Sequence, residues 1–245
     1  MNASSLISRI PPVTKNLLVI NILIWAVMAL IPDMRVSIDK YFALHYFTSS
    51  QFGFWQVFTY MFLHDGFTHL FFNMFALLMF GGIIERSMGS ARFLLYYVSC
   101  GIGAALIQLG VFAYMLSDLT HLLNPEQLHL IIDKGLVPPD VSMERAGEIY
   151  SIVNTPIVGA SGAIFGVLLA FGMLFPNQPL FLMFIPVPIK AKWMVLGYGA
   201  IELFYGVSGT APGIAHWAHL GGMIVGVFMI LYWKKKGVFR DRWFF

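Results

Sequence analysis

The chain has 245 residues, of which 58% are hydrophobic, 16% aromatic and only 11% charged, with a mean hydropathy of +0.76. Soluble domains carry about 45–50% apolar and about 25% charged residues, so this composition excludes an ordinary soluble domain and predicts an all-α polytopic membrane bundle, one domain over residues 1–245. The basic excess, net +3 with a pI near 9.0, reads as the Lys/Arg bias of cytoplasmic loops rather than as a nucleic-acid footprint. One cysteine, Cys100, excludes an intrachain disulfide and a CxxC motif.

In chain order, residues 1–16 form a cytoplasmic N-terminal segment; the apolar stretch after Lys15 runs on without a small-residue cleavage site, so it reads as the first span and not as a signal peptide. Six apolar segments follow: Leu17–Ile31, His64–Ile84, Phe93–Leu116, Ser161–Phe175, Trp193–Tyr205 and Ile214–Trp233. The fourth and fifth are short for a bilayer of about 30 Å, and Gly and Pro flank them, a pattern of irregular backbone lining a cavity inside the protein. The first and third connections, residues 32–56 and 117–155, are too long for plain turns. Aromatic clusters in the first ("YFALHYF", "QFGFW") and weak amphipathicity in the second predict interfacial helices in both.

Charge sets the orientation. With the N-terminus inside, the inner segments hold Arg9, Lys15, Arg86, Arg92, Lys190, Lys192, Lys234, Lys235, Lys236, Arg240 and Arg242, eleven of the 15 basic residues. The 117–155 insertion is then outside, and 234–245 is a cytoplasmic tail. Positive-inside therefore predicts six spans with both termini cytoplasmic. The Lys234–Lys236 run is an anchor of that topology, and no internal repeat supports a transporter.

Polar groups inside spans are costly and mark function by default. They are His64, Asp65, His69, Asn73, Ser161, Glu202, His216 and His219. His69 and Asn73 stand at i and i+4, on one helix face. His219 is followed at +3 and +7 by Gly222 and Gly226, and Ser161 opens a span carrying Gly162 and Gly166. Such GxxxG pairs let helices approach closely, so spans four and six are expected to pack glycine face to glycine face and bring Ser161 to His219. Taken singly, Ser161 is as well explained as a small residue at a helix contact, and His69 and Asn73 as interhelical glue. Taken together, they form a nucleophile, a base and two oxyanion donors at one depth near the outer surface, where water enters. A neutral His219 in reach takes the Ser161 proton and returns it to the leaving amine. The Asn73 amide, the His69 ring and backbone N–H groups at the helix start around Ala160 and Ser161 are donors for the oxyanion. Gly159 and Pro156 keep the preceding chain out of the helix. The spacing supplies no third acid, since Asp65 and Glu202 lie on other elements, so a Ser–His dyad is expected. His64 and His216 read as structural, and Glu202 as paired within the bundle or facing the cavity.

"GASG" opening a short span, "HLFFN" earlier and "AHLGGMIVG" in the last span resemble the rhomboid family of intramembrane serine proteases, whose pattern GxSG, HxxxN and AHxxGxxxG occurs here in that order. The resemblance covers about Phe54 to Trp233. It implies a six-span bacterial-type core in the plasma membrane, with Ser161 as nucleophile, His219 as base, and His69 and Asn73 as oxyanion-hole residues. It implies cleavage of single-span membrane proteins near their outer boundary within the lipid bilayer, without cofactor, metal or nucleic acid. Phe165 matches the aromatic that packs on the catalytic histidine, and "GGIIERSMG" resembles the inner loop after the second span. Trp55-Gln56 stands where some members have Trp-Arg. Among rivals, a zinc protease lacks HExxH or a familiar third ligand, and a channel would show deep charges in several spans. A silent rhomboid-like protein that binds membrane partners would lack the serine or the histidine, and this chain keeps both.

Overall fold

A computed structural model of the chain describes residues 9–181, 187–210 and 215–239. The expected start of the last span at Ile214, the tail residues Arg240 and Arg242, and the first eight residues of the N-terminal segment lie outside these. In order come α1 (Pro12–Leu30), α2 (Pro32–Phe42), α3 (Gln56–Thr59), α4 (Phe67–Met88, with a π-helical segment Leu77–Gly81), α5 (Ser90–Thr120), α6 (Pro125–Lys134), α7 (Met143–Asn154), α8 (Ser161–Leu174), α9 (Ala191–Ser208) and α10 (His216–Lys235). A two-residue antiparallel pair, Pro179–Leu180 with Ile189–Lys190, joins α8 to α9.

Local sequence sets several of the boundaries. Pro12 and Pro32 occupy the first turns of α1 and α2, where the missing N–H costs nothing. Gly89, at φ 85°, breaks α4 from α5. Asn124 and Gln127 close a reciprocal capping box on α6, which Gly135 ends in the left-handed region at φ 64°.

Among the described residues, four helices are long and apolar enough to cross a membrane: α1, α4, α5 and α10. With the many exposed Leu, Ile, Phe and Val side chains along them, they make the chain an integral multi-pass membrane protein. α8 is apolar but has only 14 residues, about 21 Å at 1.5 Å per residue. α9 is an 18-residue helix with Glu202 in its second half. Several expected boundaries move, among them the start of the first span, at Pro12 rather than Leu17, so that the N-terminal segment 1–16 already contains the first turn of α1. α4 runs past Ile84 to Met88 because the Glu85 carboxylate is satisfied inside the protein: it accepts from Val13 N (3.0 Å), Thr14 N (2.7 Å), Thr14 Oγ1 (2.8 Å) and Ser90 Oγ (2.7 Å). α5 continues beyond Leu116 to Thr120, so the 117–155 connection begins inside a helix and holds α6 and α7.

α8 is the centre of the bundle, buried on nearly every face from Gly162 to Leu174, as an all-round apolar helix requires. Close backbone approach holds it against α10. An ideal Cβ at Gly222 would fall 1.8 Å from the Gly162 carbonyl oxygen, and one at Gly166 would fall 2.5 Å from Cys100 Sγ and 3.2 Å from the Gly222 oxygen. Gly226 lies one turn further on, against Tyr96 and Leu169. Hydrogen bonds lock α5 to both neighbours: Tyr96 OH donates to Gly166 O at 2.7 Å, and Ala218 N donates to Gln108 Oε1 at 3.1 Å. In the first connection, buried Gln56 accepts from His45 N (3.1 Å) and donates to Gln51 O (2.8 Å) and Tyr41 O (3.3 Å), tying that loop together.

Two alanine substitutions test the glycine contact. Gly222→Ala forces α8 and α10 apart and is expected to destabilise by at least the roughly 1–3 kcal/mol typical of overpacking. Gly110→Ala, on α5 with nothing within 4 Å of the new methyl, is expected to be neutral or stabilising by up to about 1 kcal/mol. Thermal unfolding in detergent micelles reads the difference.

Candidate active site

Ser161 is the first residue of α8, and the chain before it is extended. Leu44 and Ile157 exchange two backbone hydrogen bonds, of 2.9 and 2.8 Å, and Gly159 N donates to Tyr60 O at 3.0 Å. Gly159 has φ 129°, a conformation that L side chains rarely adopt. The turn it makes delivers Ser161 to the helix start. His219 is the fourth residue of α10, one turn above Gly222. Its Nε2 lies 2.8 Å from Ser161 Oγ. The Phe165 ring, one turn below Ser161, stacks on the imidazole at 4.2 Å between centroids and 7° between planes, which fixes the ring's plane.

The opposite edge of the imidazole meets an acid that sequence spacing left unassigned. Glu202 Oε2, from α9, sits 3.0 Å from His219 Nδ1 and 2.6 Å from His216 Nδ1. The second is a hydrogen bond. The first is a charge contact off the N–H axis, for Nδ1 of His219 has no aligned acceptor among the described residues. The reading of a dyad with no acid beside it therefore changes: a carboxylate stands next to the histidine. The signal was present, since Glu202 is a costly charge within an apolar helix, but its distance to His219 depends on which face α9 turns toward α10.

His69 borders the other side of the serine. An ideal Cβ built on Gly159 would fall 2.8 Å from His69 Nε2 and 3.6 Å from Ser161 Oγ, so both groups border one small space. Asn73 is 7% exposed, and its Nδ2 meets no acceptor among the described residues. His64 is buried and packs edge-on against His69, 5.0 Å between centroids. Asp65 is exposed and lies 3.7 Å from Arg35, away from the serine.

Glu202, His216 and His219 also form a set whose ligand atoms all lie within 4.8 Å of one another. Around a tetrahedral zinc with bonds of about 2.0–2.1 Å, ligand atoms keep about 3.3 Å apart. The 2.6 Å between His216 and Glu202 is a hydrogen-bonding separation, and His219 Nε2 is engaged with Ser161. A carboxylate hydrogen-bonded to His216 and in charge contact with His219 accounts for the donor set better than a metal centre does.

A multi-pass helical membrane protein with a serine and a histidine in contact near one end of its helices is the class that these features define. The chain belongs to the rhomboid family: the family model described as "Rhomboid domain" matches residues 51–236. It is 30% identical over 181 residues to "Rhomboid protein 1, mitochondrial" of Saccharomyces cerevisiae, covering 71% of this chain and 40% of that protein. It is 31% identical over 194 residues to "Rhomboid protease GluP" of Bacillus subtilis (77% and 28%), and 30% identical over 173 residues to "Rhomboid protease AarA" of Providencia stuartii (68% and 51%). The chain thus spans about half or less of the length of these curated relatives.

A methyl at position 159 would enter the space shared by His69 and Ser161. Gly159→Ala is expected to slow labelling of Ser161 by a fluorophosphonate by about 10²-fold or more, the size of effect seen when an oxyanion donor is lost. The rate of probe incorporation measures it, and labelling at the wild-type rate would refute the assigned geometry.

Proposed function

We propose that the protein is an intramembrane serine endopeptidase that cuts single-span membrane proteins near the outer boundary of the bilayer. The observation that carries this reading is the 2.8 Å contact between Ser161 Oγ and His219 Nε2, within an apolar bundle of a family whose relatives bear the printed name protease. His219 Nε2 takes the hydroxyl proton as Oγ bonds to the scissile carbonyl carbon. The negative oxygen of the tetrahedral intermediate turns to Asn73 Nδ2, the His69 ring and backbone N–H groups at the start of α8, where the helix dipole also favours negative charge. His219 passes the proton to the leaving amine as the C–N bond breaks. Water then attacks the acyl-serine with His219 again as base, releasing the new carboxyl terminus and restoring Ser161. Phe165 holds the imidazole in plane throughout. The chemistry of these residues requires no cofactor or metal.

In this reading α8 and α9 complete a six-span core, α8 crossing as a short helix shielded from lipid by its neighbours. Both termini are cytoplasmic in the bacterial plasma membrane, in line with the inner Lys and Arg residues. The site lies toward the outer side, and α2, α6 and α7 rest at the interface. The aromatic side chains of Tyr41 and Phe42, half exposed on α2, suit that position.

Ser161→Ala and His219→Ala are each expected to abolish cleavage of a single-span reporter in proteoliposomes while leaving unfolding temperature within a few degrees of wild type. A fluorophosphonate is expected to label wild type and not Ser161→Ala. Full activity in either variant refutes the dyad, and a wild type that binds but neither cuts nor labels supports a silent membrane-binding protein instead. Cleavage is expected to withstand EDTA; its loss and recovery on adding zinc would favour a metalloprotease.

A further inference from the structure

Glu202 is a carboxylate carried into an apolar bundle by a helix that otherwise exposes bulky apolar residues such as Leu196, Ile201, Leu203 and Phe204. A charge in such a place is retained when it has partners and a task. Its partners are two histidines of α10, a turn apart, at 2.6 and 3.0 Å through the Nδ1 atom of each. The three side chains are only 8–12% exposed. The His216 ring is braced by Tyr205 of α9, stacked at 5.4 Å, and the His219 ring by Phe165.

Proton accounting gives this arrangement a consequence. An ionised carboxylate only accepts, so the hydrogen at each facing Nδ1 is the one that it attracts. A neutral imidazole with hydrogen on Nδ1 has none on Nε2. His219 Nε2 is then a lone-pair acceptor facing Ser161 Oγ at 2.8 Å, the state in which a general base can act. The reverse tautomer puts a hydrogen on Nε2 and disables it. When Ser161 transfers its proton, the imidazolium formed lies beside the same carboxylate. His216 secures the other side of the acid's charge and holds Oε2 between the two rings.

We propose that Glu202 is a positioning residue for His219, bridging it to His216 so that His219 keeps its hydrogen on Nδ1 and presents a free Nε2 to Ser161. This rests on the protease reading, which it extends from two residues to a chain of four: Ser161, His219, Glu202 and His216.

Glu202→Gln preserves shape and removes the charge. Its carbonyl oxygen satisfies only one of the two histidines, while its NH2 asks the other for a lone pair. The test uses the full chain in lipid bilayers, labelled with 15N-histidine, with the His219 signals assigned by their loss in His219→Ala. In wild type, and in Ser161→Ala where no turnover is possible, solid-state NMR is expected to find the His219 hydrogen on Nδ1. In Glu202→Gln a large part of the population is expected to move to Nε2, and kcat for reporter cleavage to fall about 30-fold or more with KM within about twofold. Glu202→Asp, which restores the charge, is expected to recover the Nδ1 tautomer and part of kcat. A wild-type His219 with its hydrogen on Nε2 overturns the proposal, whatever any variant does. A Glu202→Gln protein with kcat within threefold of wild type overturns it too. Failure of the protease reading looks different: the tautomer follows Glu202 as expected, but wild type cuts nothing.

Discussion

The contact between the backbones of α8 and α10 is the constraint on which the rest depends. In lipid, helices gain little from burying apolar surface against one another, because the tails are as apolar as leucine; association rests on close packing and hydrogen bonds. With Gly222 directly over the Gly162 carbonyl, the helix axes come nearer than any side chain would allow. Ser161 precedes Gly162, and His219 lies one turn before Gly222. The separation that sets the glycine contact therefore also sets the 2.8 Å between Ser161 Oγ and His219 Nε2. Helix packing and site geometry are one measurement made at two places.

Several polar groups in this bundle have a defined partner. Glu85 fastens the start of α1 to the C-terminal end of α4, accepting from Val13, Thr14 and Ser90. Gln108 accepts from the Ala218 N–H in the first turn of α10, which also donates to Ala215 O at 3.0 Å. Asn73 Nδ2, like both ring nitrogens of His64 and the Tyr97 hydroxyl, meets no hydrogen-bond partner among the described residues. An unsatisfied buried amide costs about 1–3 kcal/mol.

Much of this was legible in the sequence, for identifiable reasons. His69 with Asn73, and Gly162 with Gly166, are regular helical spacings, so their faces follow from 3.6 residues per turn. Apolar run length located the long helices but misjudged ends where a polar residue is satisfied internally, as at Glu85. Two things were not legible. Glu202 could be read as costly but not as a neighbour of His219, because that depends on how α9 is rotated, and a helix with bulky apolar residues on several faces carries little periodic signal. Gln56 could be read as a departure from an arginine pattern, but its role required a view of the carbonyls of Gln51 and Tyr41 converging on one amide.

The irregular chain before Ser161 closes the argument. Non-helical backbone at membrane depth survives only where protein satisfies it, and here Leu44 and Tyr60 do so by bonding Ile157 and Gly159. Leu44 belongs to the first connection, the loop that Gln56 ties from within. That loop is thus more than a covering at the interface. It supplies the hydrogen bonds to Ile157 that hold the chain extended before α8 begins at Ser161, and there the serine borders the same space as His69. Shortness in α8, a defect by the measure of bilayer thickness, is the condition under which a hydroxyl can reach water and a histidine together.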